Sequence, residues 1–383
     1  MCHIGISGFR RLAHIDLDMR PLMTLIGANG VGKTSFLDVF SLLAASAAGK
    51  LNKTISDMGG VAANLSREKS HELAFNLEMD VSEQEPLVYD LHIAPQTHTY
   101  SICSESLTQR RTDDPKPFKY IESAHSDIRY FDVDQKKLVR PTWDHNSLET
   151  SLSQVPRMFK KSEEFRRALS SASCFHALDV SPRAPVKLPQ PVKPAQFPGS
   201  NGEEMVSLLY TLRESQHARY ETVIDTLRAA FPGFEGLNFP PSAAGMISMT
   251  WKDQSCSSPF YVHELSEGTL RFLWITAMLQ SPELPTIIMF DEPEISLHPE
   301  MLGLLADLLR EGAQRSQIIV ATHSDRLVRF LKPEEVVVLD AQEDGTTSAT
   351  WADALDLDKW LADYSLDEIW NMGRLGGRAC GSL

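Results

Sequence analysis

The chain has 383 residues, 42% hydrophobic and 23% charged, enough to bury a sizeable core in one to three domains. No stretch approaches 18 uninterrupted apolar residues, so no membrane span is expected, and the N-terminus reads as a first strand rather than a signal peptide. Five scattered cysteines (Cys2, Cys103, Cys174, Cys256, Cys380) without a C-x-x-C pair argue for a reducing, cytoplasmic setting and against structural zinc. A net charge of −14 excludes a surface that coats nucleic acid indiscriminately, although thirteen bases lie between Arg110 and Arg167, interleaved with acids.

Residues 4–6 and 12–17 alternate as strands, and 22–26 form a short apolar strand. Directly after it comes Gly27-Ala28-Asn29-Gly30-Val31-Gly32-Lys33-Thr34, then an amphipathic helix from Ser35. This is the phosphate-loop pattern in the context it needs: glycines let backbone approach phosphate oxygens, and the helix N-terminus aims unpaired N–H groups at them. Residues 71–81, 87–93 and 98–102 read as an antiparallel meander. The polar stretch 105–145 yields one strand, at 128–133, and 162–171 reads as a helix. Six prolines over 182–198 mark an extended connector. Helices at 203–213 and 219–230 and strands near 237–239 and 246–251 come next.

From Leu265 helix and strand alternate: helices at 269–279, 299–310 and 324–331, strands at 286–290, 317–322 and 336–339. Such alternation predicts parallel pairing under helical cover. The strand at 286–290 ends in Asp291-Glu292. Phosphoryl transfer needs positioning and charge neutralisation, so Asp291 is assigned to the Mg²⁺ shell with Thr34, and Glu292 to the attacking water, while Lys33 reaches the β- and γ-phosphates. Leu265-Ser266-Glu267-Gly268-Thr269 opens a helix, Ser296-Leu297-His298-Pro299 turns into one, and Ala321-Thr322-His323-Ser324 ends a buried strand. Taken singly these are a serine cap, a turn and a structural histidine; their joint order discriminates.

In that order the chain resembles the AAA-type ATPases of the RecF/SMC/OLD-like branch of the ATP-binding-cassette superfamily. Gly8-Phe9-Arg10, 27–35, 265–273, 290–299 and 317–324 carry the likeness, with 231–234 and 369–377 also family-like. The resemblance implies an α/β fold: an ABC-type P-loop NTPase head with a mostly parallel central sheet, an N-terminal antiparallel β subdomain and a helical insertion. The head is expected over 1–345, as an N-terminal lobe (1–104), an insertion (105–262) and a C-terminal lobe (263–345), with an acidic tail (346–383) after it. The implied ligands are ATP and Mg²⁺. Asn29, Gly30, Gly32, Lys33, Thr34 and Ser35 would bind the nucleotide, with Arg10 or Arg11 near the triphosphate. Gln190 would join Thr34 and Asp291 at the metal, and Glu292 and His323 would act with Lys33 in catalysis. Ser266 and Gly268 would reach the γ-phosphate held by a second copy; the common signature has a glycine where Glu267 stands.

The same resemblance implies a homodimer or higher assembly joined by ATP, acting as a nucleic-acid-linked sensor or regulator. Its partner would be a separately encoded effector, a nuclease or toxin, in bacterial defence or DNA maintenance. No long coil or Toprim nuclease segment is evident. Two other readings stand beside it: a nucleotide-binding subunit of a membrane transporter, and an ATP-dependent scaffold with little turnover.

Overall fold

A computed structural model describes residues 1–97, 99–111, 114–125, 127–361 and 363–376. His98 of the expected strand 98–102, Gly377 of the family-like tail and Cys380 lie outside the described residues. The chain divides into two compact units, Met1–Cys174 with Lys332–Leu383, and Phe175–Leu331.

The first unit opens with β1 (His3–Phe9), β2 (Leu12–Asp18) and β3 (Leu22–Ile26), then α1 (Lys33–Ala47). Two short helices, α2 (Leu51–Asp57) and α3 (Val61–Asn64), precede six strands: β4 (Leu73–Val81), β5 (Gln84–Pro95), β6 (Tyr100–Arg111), β7 (Asp114–Ala124), β8 (Asp127–Asp132) and β9 (Lys137–Val139). These build an eight-stranded antiparallel sheet in the order β2-β1-β4-β5-β6-β7-β8-β9. Alternation along β4 buries Leu73, Phe75, Leu77 and Met79 on one face. Helices α4 (Ser151–Gln154) and α5 (Lys160–Ser170) come after the sheet, and Phe165 of α5 packs its ring 5.3 Å from Tyr89 of β5. The fully buried Glu105 joins these layers: its carboxylate accepts the Tyr89 hydroxyl and the N–H groups of Ser151 and Leu152 at the start of α4. Burial raises its pKa despite those bonds.

The second unit contains α6 (Met205–Ser215), α7 (His217–Ala230), β10 (Phe234–Asn238) and β11 (Thr250–Asp253), the last two paired antiparallel. Then come α8 (Glu267–Leu279), β12 (Ile287–Asp291), α9 (Leu302–Ala313), β13 (Gln317–Ala321) and α10 (Asp325–Val328). Strands β12 and β13 run parallel, and their apolar runs are buried on both faces. The chain then returns to the first unit with β14 (Val336–Ala341), parallel to β3, and β15 (Thr347–Trp351), antiparallel to β14. No helix among the described residues is long and apolar enough to cross a membrane.

The antiparallel β subdomain expected near the N-terminus is the largest sheet, and parallel pairing, expected of a central sheet, is found at β3–β14 and β12–β13. The stretch 105–145, read as polar with one strand at 128–133 inside the expected insertion, extends that antiparallel sheet, so the boundary expected after residue 104 falls inside β6. These strands lie at one side of the sheet and carry Pro115, Pro117 and many charges, which hides the period-2 signal. Strand β15 falls within the segment read as an acidic tail.

Candidate active site

The phosphate loop joins β3 to α1 in the first unit. Gly27 has φ +149°, and a Cβ there would sit 2.4 Å from the Leu339 carbonyl oxygen of β14, so a side chain is excluded where the loop leaves the strand. Asn29 and Gly30 form the exposed tip, and nothing lies within 4 Å of where a Cβ on Gly30 would project. Lys33 is 5% exposed; its ammonium donates to the carbonyls of Gly27 (2.6 Å) and Ala28 (3.2 Å), which holds the charge over the loop. Thr34 is exposed and Ser35 half-buried at the N-terminus of α1.

Arg10, with φ +50°, reaches the same helix. Its guanidinium donates to Asp38 (2.5 Å), Asn64 (2.9 Å) and, at 3.5 Å, Ser35. Of the two candidate arginines, Arg10 is therefore the one bound beside the loop; Arg11 is exposed, and its carbonyl accepts the Thr347 N–H. The Thr347 hydroxyl donates to the Val31 carbonyl (2.5 Å), so β15 braces the phosphate loop. Sequence reading missed this support, since nothing near Thr347 marks it.

In the second unit, β12 ends at the half-buried Asp291, whose carboxylate is 3.4 Å from His176 Nδ1. Glu292 comes next with φ +54°, a conformation non-glycine residues rarely adopt. Its N–H bonds the Ala321 carbonyl at the end of β13, and its carboxylate lies 3.7 Å from His323 Nε2. Thr322, buried between Ala321 and His323, donates its hydroxyl to Glu294 and accepts the Ser324 N–H at 2.9 Å. Glu294 thus ties the segment after β12 to the segment after β13, and burial raises its carboxyl pKa above the usual range. Neither clasp residue had a role in the motif reading.

Ser266 caps α8: its hydroxyl accepts the Thr269 N–H at 3.1 Å and lies on the exposed surface. Gly268 packs against the loop at 294–298 so closely that a Cβ would stand 2.3 Å from the Ser296 carbonyl oxygen. Glu267 accepts the Ser296 hydroxyl (2.7 Å) and pairs with Arg271 (2.8 Å), which also donates to the Ile295 carbonyl (3.3 Å). The glutamate that departs from the two-glycine signature therefore links the signature segment to the loop at 294–298.

Gln190 does not fit its expected metal role. It is 2% exposed, its oxygen accepts the N–H groups of Val206 and Ser207 at the start of α6, and its amide donates to the Gly202 carbonyl. Both ends are used in closing the proline-rich connector onto α6, and a neutral amide already holding two N–H groups is poorly placed to ligate a cation.

For the expected Mg²⁺, the exposed Thr34 hydroxyl in the first unit and the Asp291 carboxylate in the second are each a hard oxygen donor, the kind this ion takes.

A family model described as "AAA domain, putative AbiEii toxin, Type IV TA system" matches residues 22–329. No curated protein matches the chain. Among solved structures, an Smc head bound to the C-winged helix domain of ScpA is similar at 11% identity and TM-score 0.59, covering 91% of this chain and 97% of that one. The Pyrococcus furiosus Smc head domain with an extended coiled coil, bound to the C-terminal domain of ScpA, is similar at 11% identity and TM-score 0.53, covering 96% and 99%. The Pyrococcus yayanosii Smc head domain with a coiled coil and joint is similar at 10% identity and TM-score 0.52, covering 97% and 99%. At such identities the likeness is one of fold. With the family model spanning most of its length, the chain belongs to this AAA domain family, and its fold is similar to that of Smc heads.

Proposed function

We propose that this protein binds and hydrolyses ATP at a site completed by a second copy of itself. Lys33 and the loop residues Asn29, Gly30, Gly32 and Ser35 hold the triphosphate, with Arg10 beside them. Thr34 and Asp291 ligate Mg²⁺, which when bound neutralises charge on the transferring phosphoryl group. Glu292 orients the attacking water, and His323 senses the γ-phosphate. Ser266 and Gly268 of the second copy complete the phosphate contacts, so ATP joins two heads and hydrolysis releases them.

The observation that carries this reading is Glu292. A glutamate held at φ +54° at a strand tip, its carboxylate 3.7 Å from a histidine, is backbone strain kept where water-positioning chemistry needs it. We further assign the ATP cycle to a cytoplasmic sensor or regulator that controls a separately encoded effector, a nuclease or toxin, in bacterial defence or DNA maintenance. Support comes from the family description, which names a toxin and a Type IV TA system, and from the similar Smc heads, two of which were solved bound to parts of ScpA.

The test is Glu292→Gln. Turnover should fall by about 10²–10⁴-fold, the usual weight of a general base, and the ATP-bound dimer should outlive the wild-type one in light scattering. Unchanged turnover in this variant, or full wild-type activity at dilutions where only monomer exists, defeats the proposal.

A further inference from the structure

None of the residues assigned to the nucleotide lies in the basic middle of the chain. Between Arg110 and Arg167 thirteen bases face ten acids, an excess of three positive charges in a chain whose net charge is −14. In the first unit this segment forms a cleft of about 620 Å³, within the range of roughly 300–1,000 Å³ typical of small-ligand sites.

The cleft opens where two strands part. Ile121–Ala124 of β7 pair with Asp127–Tyr130 of β8. Phe118 and Lys119 are paired with β6, and Phe131 and Asp132 with β9. Pro115 and Pro117 strip β7 of donors just ahead of that point.

Aromatic rings line the gap. Phe118 lies 4.5 Å from Phe131 and 4.9 Å from Tyr120, and Tyr130 lies 5.2 Å from Trp143 and 5.0 Å from Phe159. Phe118, Tyr120, Phe131, Trp143 and Phe159 are only half-buried, an unusual number of rings to leave at one opening. The Arg111 guanidinium stacks 3.5 Å from the Phe118 centroid, and Lys160 and Lys161 of α5, the latter paired with Glu164 at 3.2 Å, stand at the rim with Asp132 and Asp134.

We propose that this cleft binds single-stranded nucleic acid, accepting an unstacked base among the rings while Arg111, Lys160 and Lys161 meet the flanking phosphates. The π-face of a base is common to all four, so recognition is sequence-tolerant, and a base locked in a duplex cannot enter. An apolar side chain of a protein partner would use the rings but not the cationic rim; the three bases of the lining, against the two acids Asp132 and Asp134, favour the polyanion.

The test uses the full chain without added nucleotide, so it is independent of the ATPase reading. Fluorescein-labelled oligo(dT) of ~20 nucleotides, longer than the ~4–16 nucleotides one such module covers, is titrated at several salt concentrations beside a duplex of equal length. Oligo(dT) should bind the more tightly. Trp143→Leu should weaken it by roughly five- to a hundredfold, the weight of one stacked base, and Trp143→Phe should retain it. Lys160→Gln should reduce the log–log salt slope by about 0.7. Thermal melts check folding; if Trp143→Leu melts early, Arg111→Ser, at an exposed position, carries the same expectation of weakened binding. Equal affinity for duplex, no binding at low salt, or loss of affinity on charge removal with none on ring removal overturns the proposal.

Discussion

Replacing Gly268 by alanine probes the contact between the signature segment and the loop at 294–298. The added Cβ would lie 2.3 Å from the Ser296 carbonyl oxygen, and a backbone atom must move about 1 Å to restore an ordinary contact. Helix α8 gains from the change, since alanine is favoured over glycine in a helix by about 1 kcal/mol. The strain therefore falls on the loop at 294–298, where Ser296 already has φ +64° and is held by the Glu267 carboxylate. A 1 Å misplacement of site groups lowers turnover by about 10²-fold. Steady-state ATP turnover of Gly268→Ala should fall by about 10–100-fold, with binding of a fluorescent ATP analogue at Lys33 and the melting temperature little changed. Wild-type turnover in this variant would refute the idea that this packing sets the geometry of the site. A large loss of melting temperature would refute the assignment of the strain to the loop.

Gln190→Ala removes the acceptor for two N–H groups at the start of α6 and should destabilise the protein by about 0.5–2 kcal/mol, without changing the Mg²⁺ dependence of ATP turnover; a shifted Mg²⁺ requirement would restore a metal role for this glutamine. Glu294 gives a pH signature. Its folded pKa is raised by burial, so its contribution to stability is present below the ordinary carboxyl pKa of about 4.3 and is lost as pH rises through the folded value. Thermal melts of Glu294→Gln, which keeps the shape without the charge, should be less pH-dependent across that window and equal or exceed wild type above it. Identical pH profiles for the two proteins would contradict the raised pKa.

The phosphate loop was legible because its determinants, the glycines, Lys33 and Thr34, are contiguous in the chain. Strands β12 and β13 were equally plain, since a strand buried on both faces is an unbroken apolar run bounded by polar residues. Strand β7 was not legible, because a polar strand carrying prolines has the composition of a loop and is held by the pairing of its neighbours. Gln190 shows the opposite failure. A glutamine between prolines matched an expected position, yet which groups its amide meets is decided by how the connector folds back on α6.

By itself, the amino-acid sequence determined the chemical parts and their order, from the phosphate loop through Ser266 and Gly268 to Asp291, Glu292 and His323, because each lies at the end of a locally specified strand or helix. Tertiary structure alone decided what supports them. Glu267 meets Ser296 across 29 positions, Thr322 meets Glu294 across 28, and Thr347 meets Val31 across 316. Such contacts leave no periodic trace in the chain. They arise only when separate elements are brought within hydrogen-bond reach, where a buried polar group left unpaired costs more than a made bond contributes.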